Sequence, residues 1–133
     1  MARTICFFLN QEKIEIELNE GGGLRPDTTL LNWLRERRKL TGTKEGCAEG
    51  DCGACSVVIG RLTSDNTPNW QAVNACILFL PMLHGSVITT VEGVANADGE
   101  LHPVQQAMIT HHGAQCGFCT PGFVMSLYAG WCA

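Results

Sequence analysis

Three cysteines fall close together in the run Lys44-Glu45-Gly46-Cys47-Ala48-Glu49-Gly50-Asp51-Cys52-Gly53-Ala54-Cys55, and a fourth, Cys76, follows much later. A packed core gains nothing from thiols crowded among glycines. Gly46, Gly50 and Gly53 alternate with the cysteines, and glycine reaches positive φ at no steric cost. Such a backbone can curl and aim its N–H groups inward at one point. Sulfur donors ringed by N–H groups suit a compact anionic group that carries charge on sulfur. Glu45, Glu49 and Asp51 give an anion no help and belong on the outside. Lys44 adds positive charge beside the loop.

The order C-x4-C-x2-C, with one distant cysteine, is the plant-type spacing for a [2Fe–2S] centre. Cys47, Cys52, Cys55 and Cys76 are therefore the candidate metal ligands, and the chain reads as a carrier of single electrons. Zinc favours paired C-x2-C motifs or cysteine with histidine, and fits this spacing poorly. A disulfide framework needs an oxidising compartment. The eight cysteines come without a signal peptide: Ile5-Cys6-Phe7-Phe8-Leu9 is too short an apolar core. A reducing cytoplasm is the expectation. The net charge of −4 argues against nucleic acid or an anionic membrane as partner. No apolar run is long enough to span a bilayer.

Thr4 to Leu9 is β-branched and aromatic and reads as a strand. Lys13 to Leu18 places Ile14, Ile16 and Leu18 on one face, a half-buried strand. Asn10-Gln11-Glu12 joins the two as a hairpin with a weak turn signal. After Gly21-Gly22-Gly23, Asp27 or Thr28 caps a helix running to about Lys39, with Leu30, Leu31 and Leu34 as its buried stripe. Arg37-Arg38-Lys39 read as a solvated face at the helix end. Cys55 to Leu62 is a strand, Asp65 to Asn69 a turn, Val73 to Leu80 an apolar stretch, and Val87 to Val91 a last short strand. This is a β-grasp order, one helix across a mixed sheet, with the cysteine loop at one edge. Composition shifts at Gly93 to Gly99, and two helices follow. Pro103 opens the first, with Val104, Ala107, Met108 and His111 at helical spacing and Gly113 at its end. Thr120 caps and Pro121 opens the second, with Phe123, Leu127 and Trp131 along one side.

Cys116 and Cys119 form a C-x2-C pair just before that second helix, where the helix start favours the thiolate. A thioredoxin-like redox pair wants a βαβ setting, which is absent from the pattern. Two thiolates cannot hold a cluster alone. Cys6 and Cys132 read as small buried hydrophobes. His111 and His112 point different ways on a helix and read as capping or surface residues.

The run Gly46 to Cys55 resembles the first iron–sulfur motif of the molybdenum hydroxylases, and Gln115-Cys116-Gly117-Phe118-Cys119-Thr120-Pro121-Gly122 resembles their second. The Leu-Phe-Leu-Pro-Met-Leu-His-Gly run ending at Gly85, with Leu101-His102-Pro103-Val104-Gln105, is similar to the small subunits of the bacterial xanthine dehydrogenase branch. The resemblance implies a molybdopterin centre on another subunit that hydroxylates xanthine to urate. Electrons then pass singly through a helical-domain cluster and a β-grasp cluster to FAD and NAD. It implies Cys116 and Cys119 as half the ligands of the cluster nearer molybdenum, and Gln115 near the pterin. An aldehyde or carbon monoxide oxidoreductase is the alternative within the family.

The expected fold is α+β. Residues 1–91 form a β-grasp plant-type [2Fe–2S] domain, and 92–133 form the first two helices of an incomplete four-helix [2Fe–2S] domain. The family completes the second site with a Cys-Arg-Cys motif, and this sequence has no Cys-x-Cys. The family's FAD domain is also missing. The expectation is thus a fragment or truncated product with one complete and one half cluster site, no catalytic residue, and no turnover of its own. Two other classes stay open: a free ferredoxin-like carrier, and a zinc-stabilised interaction module.

Overall fold

The computed structural model describes residues 3–133; Met1 and Ala2, the start of the expected 1–91 unit, lie outside it. Strand β1 (Arg3–Leu9) and β2 (Glu12–Leu18) form the hairpin that alternation predicts. Asn10 and Gln11 both take positive φ, 47° and 72°. Such a two-residue turn matches the twist of the flanking strands. Ile5, Phe7 and Leu9 point to the same side as Ile14, Ile16 and Leu18, and all six are buried.

The helical segment differs from expectation at both ends. Its cap is Thr29, whose hydroxyl accepts from Asn32 N–H at 3.2 Å. Asp27 instead pairs with Arg25, and Thr28 lends its backbone to Leu80. The α-turn Leu30–Asn32 (α1) runs straight into a π-helical segment, Trp33–Arg37. The helix stops at Arg38, because Lys39 turns to φ 58°. Leu30, Leu31 and Leu34 are buried as expected, and Trp33 joins them. Its ring meets Phe7 edge-on at 5.6 Å, while the Arg38 guanidinium lies over it at 5.7 Å and pairs with Glu12. The basic end is therefore partly tied to the hairpin.

Strands β3 (Ser56–Leu62), β4 (Pro68–Asn74) and β5 (Val87–Thr89) complete a five-stranded mixed sheet in the order β2-β1-β5-β3-β4. Strand β1 pairs with β5 in parallel; the other pairs are antiparallel. Strand β4 is absent from the sequence reading, which placed a turn and an apolar stretch there. It is an edge strand, mostly exposed, and starts on a proline. The cysteine loop does not run along this edge. It leads into the start of β3, an interior strand.

The run Ser-Val-Val-Ile explains that position. A continuous apolar run marks a strand buried on both faces. Val57 and Ile59 join the core beneath the helical segment, with Leu80, Leu83 and Ile88. Val58 faces the other way, into a second cluster with Val94, Val124, Met125 and Ala129. That cluster is built by the two expected helices, α2 (Pro103–Thr110) and α3 (Thr120–Cys132). The cap of α3 is Cys119, one residue before the expected Thr120. The α2 stripe is narrower than its spacing suggests: Val104 and Met108 pack inward, while Ala107 and His111 are exposed. Phe123 and Trp131 face out, 61 % and 62 % exposed, and Leu127 with them.

Leu34 is fully buried in the first core, whereas Leu62 is 67 % exposed at the end of β3. Leu34→Ala is expected to cost about 2–5 kcal/mol, from lost transfer energy plus the cavity left behind. Leu62→Ala is expected to stay within about 0.5 kcal/mol of the parent. Urea denaturation of both variants checks the difference.

Candidate metal centre

The cysteine loop is closed at its base by Lys44 N–H donating to the Ala54 carbonyl, and by Ser56 N–H donating to that of Gly53, each at 3.1 Å. Within it Ala48, Gly50 and Gly53 take positive φ (57°, 79° and 75°), so the chain curls tightly. The N–H groups turn inward as expected. Cys47 Sγ accepts from Glu49, Asp51 and Cys52 N–H at 3.3–3.4 Å, and Cys52 Sγ accepts from Cys47 N–H at 3.3 Å. Glu45, Glu49 and Asp51 are exposed on the outside. Lys44 is occupied elsewhere: its Nζ donates to the Thr41 carbonyl at 2.7 Å.

Cys55 and Cys76 make the other half. Cys55 is buried at the start of β3. Cys76 sits half-buried in a 3-10 turn, Ala75–Ile77, at the end of β4. Antiparallel pairing of β3 with β4 puts Ser56 opposite Asn74, which brings the flanking residues together. Ala75 N–H donates to the Cys55 carbonyl at 3.2 Å, and Asn74 Nδ2 donates to the Gly50 carbonyl at 2.8 Å. The β3–β4 register thus sets Cys76 beside Cys55.

These surroundings set opposite acidities. The N–H groups of Cys52, Glu49 and Asp51 push the Cys47 thiol down to about 7, because they stabilise the thiolate. Burial, then the Cys55 sulfur beside it, pushes the Cys76 thiol up to about 11. Cys47 is poised as thiolate, and Cys76 holds its proton until a cation replaces it. Among the described residues, no three histidine, cysteine or acidic side chains converge on one point. The cysteines stand instead as two pairs. Tetrahedral zinc needs four donors at a single centre, whereas a [2Fe–2S] cluster held by four cysteines spreads them over two irons. The donor set fits the cluster.

The other candidates are placed as follows. Cys116 and Cys119 are exposed in the loop between α2 and α3, where Gly117 takes φ 88°. Gln115 is exposed beside them. Cys119 and Cys52 wall the same small cleft, so the two cysteine loops are neighbours. Nothing in the sequence pattern signals this, since it arises from α3 lying on β3. Cys6 and Cys132 are half-buried, not buried. Cys6 lines an apolar hollow with Phe8 and Trp70, and Cys132 ends α3. His111 ends α2 and His112 follows it at φ 53°, both exposed. Sequence reasoning passes over Asn74, which no spacing rule marks as the tie between the loop and the Cys76 turn.

The acidity difference is testable on metal-free protein. A lowered value means that thiolate is present above about pH 7 at Cys47, whereas Cys76 stays protonated until about pH 11. Iodoacetamide, which attacks thiolate, is expected to modify Cys47 at pH 8 well before Cys76, with a rate that rises through pH 7. Peptide mapping by mass spectrometry reads the order.

Comparison with known proteins agrees with this geometry. Residues 7–80 match the 2Fe-2S iron-sulfur cluster binding domain, and residues 90–132 match the [2Fe-2S] binding domain. Xanthine dehydrogenase of Calliphora vicina is 50% identical over 127 residues, which is 95% of this chain and 9% of that protein. Aldehyde oxidase 2 of Cavia porcellus is 45% identical, again over 95% of this chain and 9% of its own length. The chain thus spans about a tenth of these relatives. Among solved structures, quinoline 2-oxidoreductase from Pseudomonas putida 86 superposes with a TM-score of 0.75 at 30% identity, covering 96% of this chain and 69% of that one. The aldehyde oxidoreductase of Desulfovibrio gigas gives a TM-score of 0.77 at 34% identity, over 96% of this chain and 12% of that one. The chain belongs to the 2Fe-2S cluster-binding domain family, and within it to the iron–sulfur part of the molybdenum hydroxylases.

Proposed function

We propose that this chain is the electron relay of a xanthine-oxidising molybdenum hydroxylase. The observation that carries the reading is the two-by-two arrangement of Cys47 with Cys52 and Cys55 with Cys76, with backbone N–H groups turned onto the sulfurs. Cys47 and Cys52 would hold one iron, and Cys55 and Cys76 the other. A [2Fe–2S] cluster so held takes up and returns one electron. The protein's part is to supply four thiolates, to offset their charge with the N–H groups of Glu49, Asp51 and Cys52, and to fix the loop on β3. Residues 1–91 would be the unit that does this.

Residues 92–133 would carry the second centre. Cys116 and Cys119 would supply two of its ligands, and Gln115, exposed beside them, would stand near the pterin. Xanthine is favoured over aldehyde as the parent enzyme's substrate by 50% identity against 45%, together with the resemblance around Leu101 to Gln105. The partners would be a molybdopterin-binding portion that loses electrons and an FAD portion that receives them, in a cytoplasmic enzyme of purine catabolism. Among the described residues no helix is long and apolar enough to cross a membrane.

Each of Cys47→Ser, Cys52→Ser, Cys55→Ser and Cys76→Ser is expected to bleach the visible absorption and weaken the fold, because ligation energy is folding energy. Cys6→Ala is expected to leave the colour. A colourless parent that takes up only zinc would overturn the assignment. Iron analysis after anaerobic reconstitution is expected to find about two irons per chain, from ligand count. Four irons with two distinct paramagnetic signals would show the second site completed.

The chain by itself is expected to accept an electron from dithionite but not to oxidise xanthine, because molybdenum and flavin would be held by the partner portions. Urate formation by the purified chain, followed by absorbance, is the measurement that decides.

A further inference from the structure

Helix α3 meets the first cysteine loop at a point where neither side carries a side chain. Gly122, in the first turn of α3, faces the carbonyl of Gly53, the residue after Cys52. A Cβ built on Gly122 would lie 2.4 Å from the Gly53 oxygen and 3.3 Å from its carbonyl carbon. The α-hydrogen in that direction therefore points at the oxygen, a Cα–H···O contact of the kind found where backbones approach closely. The oxygen cannot easily retreat. It accepts from Ser56 N–H at 3.1 Å and from the Ser56 hydroxyl at 2.7 Å, and Ser56 opens β3. Beside this contact lies the cleft walled by Cys52, Cys119, Phe123 and Ser126.

We infer that Gly122 is a positioning residue: by leaving no side chain between α3 and the Gly53 carbonyl, it fixes how close the Cys116/Cys119 loop stands to the Cys47–Cys55 loop. The inference rests on the relay reading, because that separation matters only if an electron crosses it. One electron would leave a reduced iron–sulfur centre at Cys116 and Cys119 and enter an oxidised one at Cys47 to Cys76, with no atom transferred. A methyl at Gly122 requires the 2.4 Å contact to open past 3.0 Å, and to 3.4 Å for an ordinary contact, a shift of about 0.6–1 Å. The obstacle is backbone held by Ser56, so the helix must move. Gly130 is the internal control. It lies on the same helix, and a Cβ there meets nothing within 4 Å. Alanine gains the same helix propensity at both positions, and only one of them collides.

The test uses the full chain with its first cluster assembled. Cys6, Cys116, Cys119 and Cys132 are replaced by serine, and a nitroxide is placed on Leu127→Cys, an exposed position of α3. Relaxation of the nitroxide by the cluster, reduced by γ-irradiation of the frozen sample in liquid nitrogen so that no chemical reductant reaches the spin label, reads the distance from helix to loop and involves no turnover. Gly122→Ala is expected to lose part of the relaxation enhancement, Gly122→Val more, and Gly130→Ala none, with helix content by circular dichroism equal throughout. If Gly122→Val fails to fold, Gly122→Ala decides by the same measurement. Enhancement unchanged in the Gly122 variants, or lost equally in Gly130→Ala, overturns the inference and leaves the relay reading standing. A parent with no reduced-cluster signal overturns both.

Discussion

Bringing several sulfur anions within a few ångströms of one another is an electrostatic problem that the backbone must solve first. Two unit charges about 4 Å apart repel by about 4 kcal/mol at an effective dielectric of 20. The chain meets this differently at its two pairs. At Cys47 and Cys52 the tight curl through Ala48, Gly50 and Gly53 turns N–H groups onto sulfur. At Cys76, beside the buried Cys55, burial keeps the proton on until a cation displaces it. The loop therefore needs a strained outer half and a packed inner half.

Strand β3 provides the packed half and connects it to everything else. Its start holds Cys55, and its partner β4 delivers the Cys76 turn. One face carries Val57 and Ile59 into the core under Trp33 and Leu34. The opposite face carries Val58 into the cluster with Met125 and Ala129. A shift of β3 is felt by both cysteine pairs and by α3 at once. Arg35 adds a further tie, donating to the Thr41 and Thr43 carbonyls at 2.9 Å and so anchoring the chain that leads into the loop.

The parts of the fold legible in the sequence are those with a local cause. Alternation in Lys13 to Leu18, the apolar run at Val57 to Ile59, and the cysteine spacing each speak for themselves. Strand β4 was not legible, because an exposed edge strand shows neither alternation nor a continuous apolar run, and Pro68 counts against it. Asp27 and Thr28 read as the cap, but Thr29 is a cap former of the same kind. The choice was made by long-range contacts: Thr28 bonds Leu80 and Leu30 bonds Leu78 through the backbone. The pairing of sulfurs was legible as a ligand set but not as geometry. It depends on the β3–β4 register and on Asn74 reaching the Gly50 carbonyl, and neither has a signature in spacing.

Helix α3 shows the same division between local and tertiary causes. Thr120 and Pro121 suit its start, but Gly122 and Gly130 within it make its own sequence a weak helix former. Each internal glycine costs about 1 kcal/mol against alanine. What holds it is burial of Val124, Met125 and Ala129 against β3, at roughly 1.5–3 kcal/mol for each large side chain covered. A helix stabilised mainly by docking has little independent existence away from its surface. Its sequence therefore sacrifices propensity wherever that improves the fit, as it does at the Gly53 carbonyl. The opposite face, with Phe123, Leu127 and Trp131 exposed, contributes less: Trp131 meets the His102 ring edge-on at 5.2 Å, and Phe123 walls the cleft beside Cys52.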